Sequence, residues 1–403
     1  MKRLLVALVL VLAGCSKQSS AGTALIVIDV PLAKAGALAQ QIVNGARLAI
    51  EQINAAGGVS VGKTSVKLSL ATLDSDLSPE TTASNVREAV RRGAVAVIDE
   101  GTGTNAAWQT ANDAGIPFGI VYQGGQALVD PKSRPNVFRI APTDRGAAFR
   151  LAEYLVPKHV HLAIIHDDST YGTGGAAALE RAFARDPSSV ATTIRIPATA
   201  TDVSAQVLQA RKSGATSLLV WARPAILAQI IRTARSSGWN APVYASTTGE
   251  DPLVREQLAD HATWIEGMTF VMSRLTSERG PEPFAAFRAA YQKRFGVQTI
   301  RVRSNGKDVE QVPDQAMYSY DLVNVLAKAM KVSATARAGS ALLAAMNHVD
   351  APGANGDERS FNDVNHEGVV DDDIFFAVMH DMVWEPVKDD ALSATLPKIA
   401  QTR

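Results

Sequence analysis

The sequence predicts an α/β fold of two doubly wound lobes, each built on a parallel sheet. Short β-rich runs alternate with helical patterns along most of the chain, and repeated βα units of this kind give parallel sheets with right-handed crossovers. The rhythm restarts once, after Asp144. The chain also has 403 residues, more than a single hydrophobic core usually serves.

Ala24–Val30 is a continuous apolar run, as expected of a strand covered on both faces. Ile42, Ala46, Ala49, Ile50 and Ile53 then recur at helical spacing until Gly57 and Gly58 stop the helix. A strand at Val66–Thr72, a helix at Pro79–Arg92 opened by Ser78, and strands at Val95–Asp99 and Pro117–Val121 around a helix at Asn105–Ala114 complete the first run. In the second run His161–His166, Ala191–Ile196, Ser217–Trp221 and Val243–Ser246 read as strands. Helices at Gly174–Arg185, Val203–Ser213 and Ala225–Ser236 separate them. Glu266–Met272 is a further strand, followed by helices at Pro283–Phe295, Gln315–Met330 and Arg337–Met346. Ile374–Met379 and Val383–Pro386 flank His380 and Asp381 as an antiparallel hairpin.

The first residues have the pattern of an export signal. Lys2 and Arg3 precede a short apolar run, Leu4–Leu12, and Leu12-Ala13-Gly14-Cys15 closes it like a bacterial lipobox. Residues 1–14 are therefore expected to be a leader, Cys15 the lipidated residue, and 15–22 a flexible tether. Cys15 is the only cysteine, so no intramolecular disulfide forms. Without Lys2 and Arg3, 38 basic residues face 40 acidic ones. That balance argues against nucleic acid as a partner.

Open parallel sheets bind ligands beyond the carboxyl ends of their strands. The rule selects Pro31-Leu32-Ala33, Gly101-Thr102-Gly103-Thr104-Asn105, Tyr122-Gln123-Gly124-Gly125, Asp167–Tyr171, Trp221-Ala222-Arg223-Pro224 and Ser246–Glu250. In the Gly101–Asn105 turn, glycines permit close backbone approach, hydroxyls donate, and the next helix presents free N–H groups, a seat suited to a carboxylate. Capping of that helix by Thr104 or Asn105 explains the same residues structurally. Trp221 serves equally as a ligand cover or as a buried strand end, and Arg223 as a carboxylate partner or an interlobe ion pair.

The stretch Ile42–Val59 resembles the first helix of the branched-chain amino-acid-binding, type I periplasmic binding proteins. Val137–Asp144, Ile164–Gly172, Phe287–Gly296 and Met317–Asp321 match the same family in order, and the similarity runs from Ala24 to Pro386. The resemblance implies a three-crossing hinge. It divides the chain into lobe 1 (23–142), lobe 2 (143–265), a second part of lobe 1 (266–350) and a return to lobe 2 with the C-terminal hairpin and tail (351–403). By similarity, Thr102, Gly103 and Thr104, with Tyr122, Gln123 and Gly124, meet the charged groups of an amino acid. Tyr171 matches the aromatic residue that covers the ligand, and Trp221 and Arg223 fall on a second contact. Thr247 aligns with the usual ammonium-binding acid, and Glu250 is the nearest carboxylate in that turn. Asp99-Glu100 stands where the family has Gly-Pro, and this moves the expected ligand from leucine towards another amino acid, an amide or a small carboxylate.

No nucleophile elbow, Walker loop or zinc-protease helix occurs, and the sole thiol belongs to the lipobox, so no enzyme is expected. His159, His161 and His166 lack the spacing of a metal set, and Asp371–Asp373 lacks the glycine of a calcium loop. No cofactor is expected. The sequence reads as a monomeric solute-binding lipoprotein, exported and anchored to a bacterial membrane, serving the permease and ATPase of an ABC importer. The rival is a lipid-anchored sensor acting on a signalling partner.

Overall fold

A computed structural model describes residues 22–273, 275, 283–303 and 305–396. The expected leader, tether and Cys15 up to residue 21 lie outside them.

The first lobe starts with β1 (Thr23–Val30), α1 (Gly36–Ala55), β2 (Val59–Val61), β3 (Thr64–Asp74), α2 (Pro79–Arg91), β4 (Ala96–Asp99), α3 (Thr104–Asp113), β5 (Phe118–Ile120) and β6 (Val137–Arg139). The sheet order is β2-β3-β1-β4-β5-β6, parallel except for the β2–β3 hairpin. Residues alternate between faces along a strand. Ile26, Ile28 and Val30 therefore enter one apolar cluster, while Val27 enters another with Val86, Ala107 and Ala111 of α2 and α3.

The second lobe comprises α4 (Asp144–Leu155), β7 (Leu162–Asp167), α5 (Thr170–Phe183), β8 (Val190–Ile196), α6 (Ser204–Lys212), β9 (Ser217–Trp221), α7 (Pro224–Ser236), β10 (Val243–Ala245), α8 (Pro252–Leu258) and β11 (Thr269–Ser273). The chain then returns to lobe 1 with α9 (Pro283–Phe295), forms a hairpin of β12 (Thr299–Val302) and β13 (Lys307–Glu310) that packs on α8, and continues through α10 (Ala316–Val332), α11 (Ser340–Met346), β14 (Asp350–Pro352) and β15 (Glu358–Ser360). It crosses back into β16 (Ile374–His380) and β17 (Val383–Pro386), and the second sheet runs β17-β16-β11-β10-β9-β7-β8.

Two expected boundaries move. Residues 266–273 are expected in lobe 1, yet β11 pairs in parallel with β10, Tyr244 opposite Thr269, and so remains in the second sheet. Residues 351–369 are expected in lobe 2, yet they hold to the first. Arg139 bonds bidentately to Glu367 (2.6 and 2.7 Å), His366 stacks on Phe138 (4.2 Å), and the β14–β15 hairpin is tied to α10. The short ladders β2–β3, β12–β13 and β14–β15 went unforeseen, because three or four partly polar residues carry no period of their own.

Gly45 shows why the first recognisable motif needs a glycine. A Cβ there would lie 1.9 Å from the carbonyl oxygen of Ala316, where α1 crosses α10. Ser319 completes the contact by donating to the Ile42 carbonyl at 2.6 Å. This close crossing seats α1 so that its first turn faces lobe 2.

Candidate functional site

A cavity of about 340 Å³ lies at the carboxyl ends of the strands of both sheets. Lobe 1 supplies the turn after β1, the first turn of α1, and Glu100, Thr102, Tyr122 and Gln123; lobe 2 supplies Tyr171, Arg223 to Ile226, Thr248 and Asp251. Apolar surface from Pro31, Leu38, Leu77, Pro224 and Ile226 fills the wall between the polar groups.

Of the residues expected from sequence, Thr102, Tyr122, Gln123, Tyr171 and Arg223 line this cavity and six do not. Gly103 is needed for packing, since a Cβ there would come within 2.2 Å of the Thr82 side chain. Thr104 is fully buried, its hydroxyl donating to the Gly101 carbonyl at 2.9 Å. A Cβ on Gly124 would meet Asp144 at 2.3 Å, so this glycine admits the start of α4. Trp221 is fully buried in the lobe 2 core, with Gly175 packed on its indole. Thr247 points at the Tyr171 hydroxyl (3.4 Å), and its neighbour Thr248 lines the cavity instead. Glu250 turns away from the cavity to accept from Gln315 Nε2 at the lobe junction. Sequence reasoning missed the first turn of α1 and Asp251 altogether. It noted Glu100 as a departure from the family pattern without placing it in the wall.

The loop after β4 is electrically the reverse of a carboxylate seat. Asp99 Oδ1 accepts from the Gly101 N–H at 2.6 Å, and Glu100 Oε1 accepts from the Thr102 N–H at 3.0 Å. Gln123 Nε2 reaches both Thr102 Oγ1 (3.3 Å) and Glu100 Oε2 (3.5 Å). The donors that would hold a ligand carboxylate are thus occupied by the protein's own carboxyl groups. Burial raises the pKa of Asp99 well above the usual range and raises that of Glu100, with hydrogen bonds from Thr102 opposing it in Glu100. Asp29, across from Asp99 in register, is pushed up to about 6 by burial. Tyr171 donates to Ser246 Oγ at 2.8 Å, which fixes its ring at the cavity wall. Asp251 caps α8 by accepting from the Leu253 N–H at 2.9 Å, and burial raises it to about 6.

Asp144 opens α4 at the first crossing. Burial pushes it up to about 7, against the lowering effect of Arg139, and its Oδ2 has no hydrogen-bond partner among the described residues. An ordinary unfolded carboxyl titrates near 4. The folded state therefore binds more protons between about pH 4 and pH 7, and the stability associated with this group falls as pH rises through that window. Asp144→Asn is expected to leave Tm unchanged near pH 4 and to raise it by about 2–4 °C near pH 8. Thermal denaturation of both proteins at the two pH values checks this.

The sequence profile of a family described as periplasmic binding protein matches residues 33–380. No curated protein sequence matches the chain. Among solved structures, a type 1 periplasmic binding protein from Bordetella pertussis Tohama I superposes with a TM-score of 0.79 at 22% identity, covering 91% of this chain and 100% of that one. The branched-chain amino-acid-binding LivJ of Streptococcus pneumoniae, in complex with isoleucine, gives 0.75 at 21%, with 90% and 98% covered. A solute-binding protein of an ABC transporter from Rhodopseudomonas palustris BisB5, in complex with 3,4-dihydroxybenzoic acid, gives 0.71 at 17%, with 89% and 93% covered. At these identities the superpositions speak for the two-lobed fold, and the profile match carries the kinship: the chain belongs to the periplasmic binding protein family, whose members are exported binding proteins rather than enzymes.

Proposed function

We propose that this protein captures a small polar ligand between its lobes and presents it, in the closed form, to the permease of an ABC importer, from a position tethered to the membrane through a lipid on Cys15. The ligand class expected is an amino acid, an amide or a small carboxylate. The observation that supports this reading is the cavity itself. Its wall is shared by both sheets at the ends of their strands, so a ligand contacting Thr102 from one lobe and Tyr171 from the other stabilises closure and no other state.

A thermal-shift screen of those three classes identifies a ligand. Small-angle scattering then measures closure: the radius of gyration is expected to fall on addition of a binder. Thr102→Ala, which removes a hydroxyl held by Gln123, is expected to weaken binding about tenfold. A screen with no binder, or a binder that leaves the scattering curve unchanged, would sink the clamp.

A further inference from the structure

β7 ends on Asp167, a fully buried side chain that stands behind the cavity wall and joins the turns that carry Tyr171 and Arg223. Its Oδ1 accepts from the Ser169 N–H at 3.0 Å and from the Ser169 hydroxyl. Ser169 is the N-cap of α5, and its Oγ in turn accepts from the Gly172 N–H at 3.1 Å. Tyr171 is therefore enclosed in a turn that the carboxyl group fixes. The other oxygen, Oδ2, accepts from the Arg223 N–H at 2.6 Å. Arg223 is the N-cap of α7, which follows the neighbouring parallel strand β9, where Trp221 stands opposite His166. One carboxyl group thus sets where two helices start, and Tyr171, Arg223, Pro224 and Ile226 at those starts all line the cavity. Gly172 belongs to the same arrangement. A Cβ there would lie 2.3 Å from Asp167 Oδ1, so a side chain would push the carboxyl away from its donors. The next residue, Asp168, accepts from the Ala198 N–H at 2.7 Å and holds a third segment of the lobe 2 wall.

Resting on the reading of this cleft as the ligand site, we infer that Asp167 is a positioning residue for binding, which sets the start of α5 against the start of α7 so that Tyr171 and Arg223 meet one ligand together. A buried N–H without an acceptor is costly, so the carboxyl and the two N-cap residues share a single favourable arrangement. Asparagine has the same shape but one acceptor oxygen, its other terminal atom being an amide nitrogen that donates. It serves Ser169 or Arg223 and meets the other donor with a donor. The two helix starts then lose their common reference, and a displacement of about 1 Å is enough to spoil a contact made at several points. Ser246 cannot take over, since it holds only the hydroxyl end of Tyr171, at 2.8 Å.

The test joins fluorine NMR of the ligand-free protein with calorimetry. The chain has seven tyrosines, and in protein labelled with 3-fluorotyrosine Tyr171→Phe and Tyr291→Phe assign two of the resonances. Asp167→Asn is expected to move the Tyr171 resonance and to leave in place that of Tyr291, which is buried in lobe 1 beside Asn44. Ser169→Ala keeps Asp167 and cuts the hydroxyl link to α5. It is expected to move the Tyr171 resonance too, and it decides the matter where Asp167→Asn folds poorly. Calorimetry with the first-ranked compound of the thermal-shift screen is expected to show an affinity loss of about tenfold or more for Asp167→Asn. In an Arg223→Ala background the same substitution is expected to cost less, because one of its two routes to the compound is gone. A Tyr171 resonance unmoved by both substitutions would overturn the inference and leave the clamp standing. So would an affinity that survives Asp167→Asn while Tm falls, or an equal loss in both backgrounds. A screen that finds no binder overturns the clamp itself, and the inference with it.

Discussion

Trp221→Ala is expected to destabilise the protein by about 3–5 kcal/mol, the range for removing a large aromatic side chain from a packed core. Trp221 ends β9, is exposed to neither cavity nor solvent, and shares its cluster with Leu219, Leu162 and Tyr171. Its ring centroid lies 6.0 Å from that of Tyr171, and a Cβ on Gly175 would sit 2.1 Å from its Nε1. The space left by alanine cannot be filled by Gly175, and Tyr171 would lose the surface that holds it at the cavity wall. Urea denaturation measures the loss. A tryptophan that covers a ligand would behave in the opposite way, costing affinity and little stability. An unchanged unfolding midpoint with abolished ligand binding would restore that role.

Arg359→Ala is expected to cost a similar 3–5 kcal/mol, because it strands a buried carboxylate. Arg359 and Asp321 are both fully buried, with Nε 3.0 Å from Asp321 Oδ2. The same guanidinium donates to Asn355 Oδ1 at 2.8 Å and to the Gly368 carbonyl at 3.3 Å. Asp321 also accepts from the Ala354 N–H at 2.7 Å. One planar group thus binds α10, the β14–β15 hairpin and the segment that leads back towards β16. Lysine cannot span three acceptors from one head, so Arg359→Lys is expected to recover only part of the loss. Burial already holds Asp321 near 6 with the arginine in place. Without it the carboxyl must take up a proton to remain buried, so the deficit is expected to grow between about pH 5 and pH 8. Equilibrium unfolding across that range checks both the size and the slope; a flat, small deficit would show the pair to be dispensable.

The two-lobed architecture was legible because its long elements are buried on both faces. β1, β7 and β9 read as uninterrupted apolar runs, and α2 announces itself through Ser78, which accepts from the Thr81 N–H, and Pro79. The lobe boundaries were less legible. An apolar run such as Thr269–Ser273 has the same appearance in either sheet, and only its pairing with β10 and β16 decides the matter. The strand-end rule found the correct loops but not the side chains that face inward. Thr247 and Thr248 are adjacent, and the choice between them depends on how a short turn is wound after β10. Glu100 reaches the wall because Thr102 and Gln123 hold it there, partners a residue count cannot supply.

The place of β16 in the second sheet has a consequence for the order in which the molecule completes itself. β11 pairs with β10 on one side and with β16 on the other, and 100 residues separate Ser273 from Ile374. Until those residues have been made and folded away, β11 is an open edge with unpaired backbone groups. Neither lobe corresponds to a continuous stretch of chain, so no truncation before Pro386 yields a finished second sheet. Contacts of such long sequence separation form late and slowly. The second lobe therefore acquires its final strands only when nearly the whole polypeptide is present, and the two lobes mature together rather than one after the other.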